Sequence, residues 1–172
     1  DLGGLHRFMG WDRAILTDPR TNEAFILAMW AGGVRDAPLV ADHVDLSGVR
    51  RVADLGGGPG HYLAEFARRS PRIEPYLIDL PLTLQVARRV LAETEVFPRI
   101  HFVEWDFYAA EPPAGLASFD LVYLSSVLHS ESPEKNRVLL QRIFRLVVPG
   151  GRVVVQENVV EPGRTSPPEA AL

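Results

Sequence analysis

Three features of this chain have residue types and spacings that could do chemistry. The first is Asp54-Leu55-Gly56-Gly57-Gly58-Pro59-Gly60, a glycine cluster set between an apolar run and an amphipathic one. Glycine in a packed element costs backbone entropy, so such a cluster answers a geometric demand. Gly56, Gly58 and Gly60 would let backbone approach a ligand where any side chain would block it. The second is Asp79, which closes the apolar run Pro75-Tyr76-Leu77-Ile78 and, as an acceptor-only group, could hold a ribose diol by taking its two hydroxyl hydrogens. The third is His129 with Glu157, each falling at the carboxyl end of an expected strand. A carboxylate near an imidazole fixes its tautomer and stabilises the imidazolium, the division of roles seen in hydrolase triads.

These residues need a scaffold that brings strand ends together, and the apolar pattern predicts one. Val52 to Leu55, Pro75 to Ile78, Ile100 to Val103, Phe119 to Leu124 and Val153 to Val160 read as short buried strands. Between them, Leu63, Phe66 and Ala67 recur at helical spacing, and Pro81 opens a helix carrying Leu82, Val86 and Val90. Ser132, Pro133 and Glu134 form an N-cap, a first-turn proline and a first-turn acid for a further helix, which Val148-Pro149-Gly150-Gly151 ends. The alternation predicts an α/β fold, a doubly wound, Rossmann-like, mostly parallel sheet with helices on both faces. Upstream, Asn22 to Trp30 and Pro38 to Val44 read as two helices, and the tail from Pro162 to Pro168 as loop.

With 172 residues, 47% of them hydrophobic, the chain has the size and composition of one globular domain. No uninterrupted apolar run approaches the roughly 20 residues of a membrane helix, and no targeting segment is recognisable. The formal charge of −4, with arginine pairs scattered among as many acids, argues against a nucleic-acid partner. Without cysteine there is neither disulfide nor thiolate metal site, which permits a cytoplasmic setting. Asp36, Asp42, His43 and Asp45 fall on different faces of a short helix, so no metal is expected. The chain opens on Asp1 and stops within Pro167-Pro168-Glu169-Ala170-Ala171-Leu172, which reads as the start of a helix; a fragment of a longer protein is expected.

In an open parallel sheet, the first strand-loop-helix is the usual seat of a nucleotide-like cofactor. A dinucleotide fingerprint would need a sixth-position glycine where this chain has His61. The ordered set then decides. DLGGGPG, YLIDLP, SSVLHSESPEKN and LVVPGGRVVVQENVV together resemble the class I S-adenosylmethionine-dependent methyltransferases, and more closely the small-molecule O-methyltransferases that act on plant phenolics, hydroxyindoles and bacterial polyketides.

The resemblance, which runs from about Phe25 to Glu161, implies S-adenosylmethionine as cofactor. Gly56, Gly58 and Gly60 would line its methionine moiety, Asp79 would bind the ribose, Asp106 and Phe107 would border the adenine, and Ser125 would be a further contact. Asp54 would either organise the loop or touch the cofactor. His129 would be the base and Glu157 its partner, acting on a small, hydroxylated acceptor. Phe25, Met29 and Trp30 would either border the acceptor pocket or be plain core, and His61, opening the helix after the loop, would sit near the cofactor carboxylate. His6, His43 and His101 read as structural. Residues 1–47 would be a helical connector, the remnant of a domain through which relatives dimerise, and residues 48–172 the cofactor-binding domain, lacking the final strands.

A sulfonium methyl is already activated, so the protein's task is to align an acceptor oxygen, where proximity supplies roughly 7–11 kcal/mol in good cases. For a phenol, with a pKa of about 10, a positioned base contributes about 10²–10⁴-fold. This chain departs from many members of the family in placing Ser130 and Glu131 after the histidine. The alternatives are a catalytically silent cofactor-binding or assembly module of the same fold, and a nicotinamide-dependent oxidoreductase, which His61 and Pro59 oppose.

Overall fold

The computed structural model describes residues 11–157. His6, the loop assigned to Pro162–Pro168 and the helix start at Pro167 to Leu172 lie outside the described residues.

Five parallel strands, β1 (Arg51–Leu55), β2 (Glu74–Asp79), β3 (His101–Glu104), β4 (Phe119–Ser125) and β5 (Val147–Gln156), form one sheet in the order β3-β2-β1-β4-β5. The order reverses at β1, which places the loop after β1 at the switch point where open α/β sheets bind ligands. Side-chain alternation sends Val52, Leu77, Leu121 and Tyr123 to one face and Ala53, Leu55, Ile78, Val122 and Leu124 to the other. Helices α3 (His61–Arg69) and α4 (Pro81–Leu91) cover the first face, and α5 (Pro133–Leu146) covers the second through Leu139, Ile143 and Leu146. Ser132 caps α5, its hydroxyl accepting from the Lys135 N–H.

A short helix α1 (Trp11–Thr17) leads into α2 (Pro19–His43), which packs over α3 and α4 as an outer layer. Here the structure corrects the expectation of two helices, because α2 runs unbroken for 25 residues with Pro38 inside it. Gly32, Gly33 and Pro38 read locally as breaks, but tertiary packing of Asn22, Ile26, Ala37 and Ala41 carries the helix through. By length and composition α2 is apolar enough to cross a membrane; in this fold that stripe faces α3 and α4, and Asp42 and Glu23 pair with Arg69 and Arg89 of those helices. The boundary drawn at residue 47 falls in the turn between α2 and β1, and one hydrophobic cluster joins Ala41 and Val44 to Val49, Leu63 and Phe66 across it.

The fifth strand is also corrected. It begins at Val147, directly after α5, and the expected stop at Val148-Pro149-Gly150-Gly151 lies within it. Phe119 pairs with Val147 and Leu121 with Arg152, so five residues of β5 advance against two of β4. The excess is taken up at Pro149 to Gly151, with Gly150 at φ 81°. Regular pairing resumes through Ser125 and Gln156, leaving Glu157 just past the strand; residues 158–160, assigned to it from sequence, lie outside the described residues.

Candidate functional site

The carboxyl ends of β1, β2 and β4 converge on the glycine loop. Gly56 N–H donates to the Ile78 carbonyl at 2.8 Å, and Gly58 N–H to Asp79 Oδ2 at 2.9 Å, so the loop is laced to the end of β2. The glycines serve different needs. Gly58, at φ 56°, is left-handed and its Cβ direction meets no protein atom within 4 Å, so it faces open space. Gly60, at φ 82°, is the N-cap of α3, and a Cβ there would fall 2.9 Å from Leu91 Cδ1. A Cβ on Gly56 would meet Val127 Cγ2 at 2.8 Å and Phe107 Cζ at 3.2 Å. Only Gly58 therefore has an absent side chain that opens room for a ligand; at Gly56 and Gly60 the absence makes room for packing.

Two carboxyls lie beneath the loop. Asp54 is fully buried, and neither of its oxygens has a hydrogen-bond partner among the described residues. Burial, reinforced by the charge of Asp79, pushes its carboxyl up to about 8. Asp79 is pushed up to about 6 by burial, against the opposing hydrogen bonds from Leu80 N–H and Gly58 N–H.

On the next strand, Ser125 ends β4 beside Gln156. Tyr123 donates to Gln156 Oε1, while Gln156 Nε2 reaches the Tyr62 hydroxyl at 3.3 Å. Asp106 Oδ1 accepts from Tyr108 N–H and Ala109 N–H, which turns the chain after β3. Phe107 stands edge-on to Trp105, with its ring against Gly56.

His129 sits in a 3₁₀ turn (Leu128–Ser130) after β4. Its Nδ1 lies 3.0 Å from Glu157 Oε2, and the other oxygen of Glu157 accepts from Leu128 N–H at 2.6 Å. The carboxylate is largely buried while the imidazole is exposed. Because Glu157 takes the proton-bearing Nδ1, Nε2 is left with its lone pair toward solvent. Ser126, at φ 55°, makes the left-handed bend that starts this turn.

Phe25 and Met29 are partly exposed one turn apart on α2, whereas Trp30 packs against the core with Leu63, Phe66 and their neighbours. His61 does not point to the loop mouth. Its ring lies against Gly33 of α2 and beside Tyr62, with Nδ1 buried and unpartnered among the described residues. His43 Nδ1 bonds the Leu39 carbonyl, and His101 stacks on Tyr76. Asp42 and Asp45 pair with Arg69 and Arg152, and among the described residues no group of three or more side chains could hold a metal ion. Sequence reasoning missed Asn22 and Thr83, buried polar residues joined to each other; their only local signal is polarity on otherwise apolar helix faces.

Residues 8–172 match the O-methyltransferase domain family. The chain is 33% identical over 161 residues to the 3-hydroxy-5-methyl-1-naphthoate 3-O-methyltransferase of Streptomyces sahachiroi, covering 94% of this chain and 46% of that protein. It is 37% identical over 118 residues to the aclacinomycin 10-hydroxylase RdmB of Streptomyces purpurascens, covering 69% of this chain and 30% of that protein. The fold superposes on human N-acetylserotonin methyltransferase in complex with SAM with a TM-score of 0.72, at 28% identity, covering 90% of this chain and 43% of that one. The chain thus spans less than half the length of these proteins.

Proposed function

The chain belongs to the O-methyltransferase domain family, and from that premise we propose that it is the cofactor-binding part of an enzyme that methylates a hydroxyl of a small aromatic molecule using S-adenosylmethionine. The observation that carries the reading is the His129–Glu157 pair at 3.0 Å, with its free ring nitrogen exposed at the carboxyl edge of the sheet.

The residues present fit the cofactor. Gly58 opens onto empty space, Asp79 ends β2 with a carboxylate suited to a diol, and Asp54 is a buried carboxyl with unused oxygens below the loop. In this reading Gly58 faces the methionine end, Gly56 and Gly60 let the loop pack so that its backbone lines that end, Asp79 holds the ribose, Asp106 and Phe107 border the adenine, and Ser125 closes the side toward β4. When bound, the cofactor supplies an activated methyl group on a sulfonium.

The remaining work falls to the chain's own side chains. His129 Nε2 accepts the proton of the acceptor hydroxyl as its oxygen becomes the nucleophile, and the imidazolium keeps its Nδ1–H on Glu157. Leu128 N–H fixes the carboxylate in place, so the base needs no reorganisation when it becomes charged. Phe25 and Met29 offer an apolar wall for a flat acceptor. Dimerisation of the whole protein belongs to the same reading and rests on resemblance alone.

A second reading has one observation in its favour: a relative in the same similarity range is named a hydroxylase, so this fold also occurs under a name other than methyltransferase. Calorimetric titration of the chain with S-adenosylhomocysteine tests the cofactor assignment. Mass analysis of hydroxylated naphthoates and indoles, incubated with S-adenosylmethionine and a protein extended to the length of the relatives, tests transfer. Binding with gain of one methyl group is expected; gain of oxygen, or no binding, overturns the proposal.

A further inference from the structure

The turn that carries His129 is weakly held by its own backbone. Ser130 N–H reaches the Val127 carbonyl only at 3.4 Å, and Glu131 N–H the Leu128 carbonyl only at 3.5 Å, beyond the ordinary range of N–H···O bonds. Every short bond in the turn involves a side chain. Ser130 Oγ donates to the Val127 carbonyl at 2.7 Å, and Leu128 N–H donates to Glu157 Oε1 at 2.6 Å. From α5, Asn136 Nδ2 donates to the Leu128 carbonyl at 2.7 Å and to the Glu131 carbonyl at 3.3 Å. Asn136 thus spans the turn, holding a carbonyl on either side of His129.

Those two carbonyls can only accept, so they dictate which way the amide faces. Its oxygen is left for Tyr108, whose hydroxyl donates to Asn136 Oδ1 at 2.7 Å and has the Val127 carbonyl at 3.5 Å as a more distant acceptor. Burial, with the charges of Glu131 and Glu157 adding to it, pushes this phenol up to about 12, so it remains a donor. Tyr108 follows Phe107, whose ring lies against Gly56. Arg142, also on α5, donates to the Phe107 and Tyr108 carbonyls at 2.7 and 3.0 Å. One helix therefore grips both the segment after β3 and the turn after β4.

We propose that Asn136, oriented by Tyr108, is a positioning residue for His129. Leu128 is fixed at both of its backbone groups, the N–H by Glu157 and the carbonyl by Asn136. With the carbonyl released, the peptide leading into His129 can turn and carry Nδ1 away from Glu157 Oε2. The value of this to a base rests on the function proposed above; the effect on the tautomer of the ring does not.

Two measurements test the assignment. The first is nitrogen-15 NMR of the neutral His129 ring in this chain, recorded at alkaline pH, assigned by His129→Gln and needing no ligand. The parent is expected to carry its proton mainly on Nδ1, as the bond to Glu157 requires. Asn136→Ala, which favours the helix by propensity and so preserves α5, is expected to give a mixture of both tautomers. Tyr108→Phe is expected to move the ratio less, in the same direction, because the amide keeps its carbonyls and loses only its guide. Arg137→Ala, exposed on the same helix, is expected to leave the ratio unchanged. The second measurement is methyl transfer by a protein extended to the length of the relatives. There, Asn136→Ala is expected to lower kcat roughly ten- to hundredfold with cofactor affinity unchanged. A parent ring without the Nδ1–H preference, or an unchanged ratio in folded Asn136→Ala, overturns the proposal, as does a loss of kcat matched by an equal loss of cofactor affinity. An extended parent that transfers no methyl group overturns the functional reading, and the tautomer ratio still decides the role of Asn136.

Discussion

Gly33 of α2 and His61, the first residue of α3, touch so closely that a Cβ added at Gly33 would fall 2.1 Å from His61 Nε2. The contact seats the long outer helix directly against the residue that follows the glycine loop. Gly33→Ala is expected to destabilise the chain by about 1–3 kcal/mol through overpacking. In a His61→Ala background the same change is expected to cost much less, and chemical denaturation of the double-mutant cycle measures the difference. Equal costs in both backgrounds would place the strain elsewhere.

The same contact predicts an acid limb of stability. Burial holds His61 down from 6.5 to about 4, with Asp36 opposing. The folded chain binds fewer protons there than the unfolded chain, so this contribution is complete above pH 6.5 and is lost as pH falls toward 4. Thermal denaturation of His61→Gln between these values is expected to show a flatter acid limb than the parent.

Asp54 acts with the opposite sign. Its folded value lies above its unfolded one, so the folded chain holds the extra proton and stability declines as pH rises from 3.8 through about 8. Asp79 adds to the decline up to about 6. Asp54→Asn is expected to raise the melting temperature of the ligand-free chain more at pH 8 than at pH 5. A larger gain at pH 5 would contradict the assignment.

For the loop, Gly58→Val is expected to abolish S-adenosylhomocysteine binding while the chain stays folded. The open space at its Cβ avoids a clash, and the positive φ costs about 1–2 kcal/mol. Undiminished binding in calorimetry would remove Gly58 from the site.

His129→Ala is expected to lower methyl transfer about 10²–10⁴-fold in the extended protein with little change in cofactor affinity. Glu157→Gln is expected to lower it less, since Leu128 N–H still holds the side chain. Parallel losses of turnover and cofactor affinity in His129→Ala would make the residue structural.

Much of the fold can be read from local pattern, because buried parallel strands are short apolar runs and Ser132-Pro133 marks a helix start in any context. That His129 and Glu157 meet follows from topology, since both leave neighbouring parallel strands at the same end. What was not legible depends on contacts distant in sequence. The single α2 helix is decided by packing on α3 and α4, against the local signals of Gly32, Gly33 and Pro38. The direction of His61 depends on a glycine 28 positions earlier, and the Asn22–Thr83 bond spans 61 positions. Neither leaves a periodic trace.

The excursion at Pro149 to Gly151 lies at the amino end of the sheet, where Val148 to Arg152 adjoin Ser47, Gly48, Val49 and Asp120. Since pairing restarts at Arg152, the length of chain before that point is uncoupled from the residue that finally reaches His129. After Arg152 the count is strict, because one residue more or fewer would turn Glu157 to the opposite face of the sheet. A change of chain length before Arg152 is therefore expected to leave the His129–Glu157 pair in place, whereas the same change after Arg152 is expected to separate it.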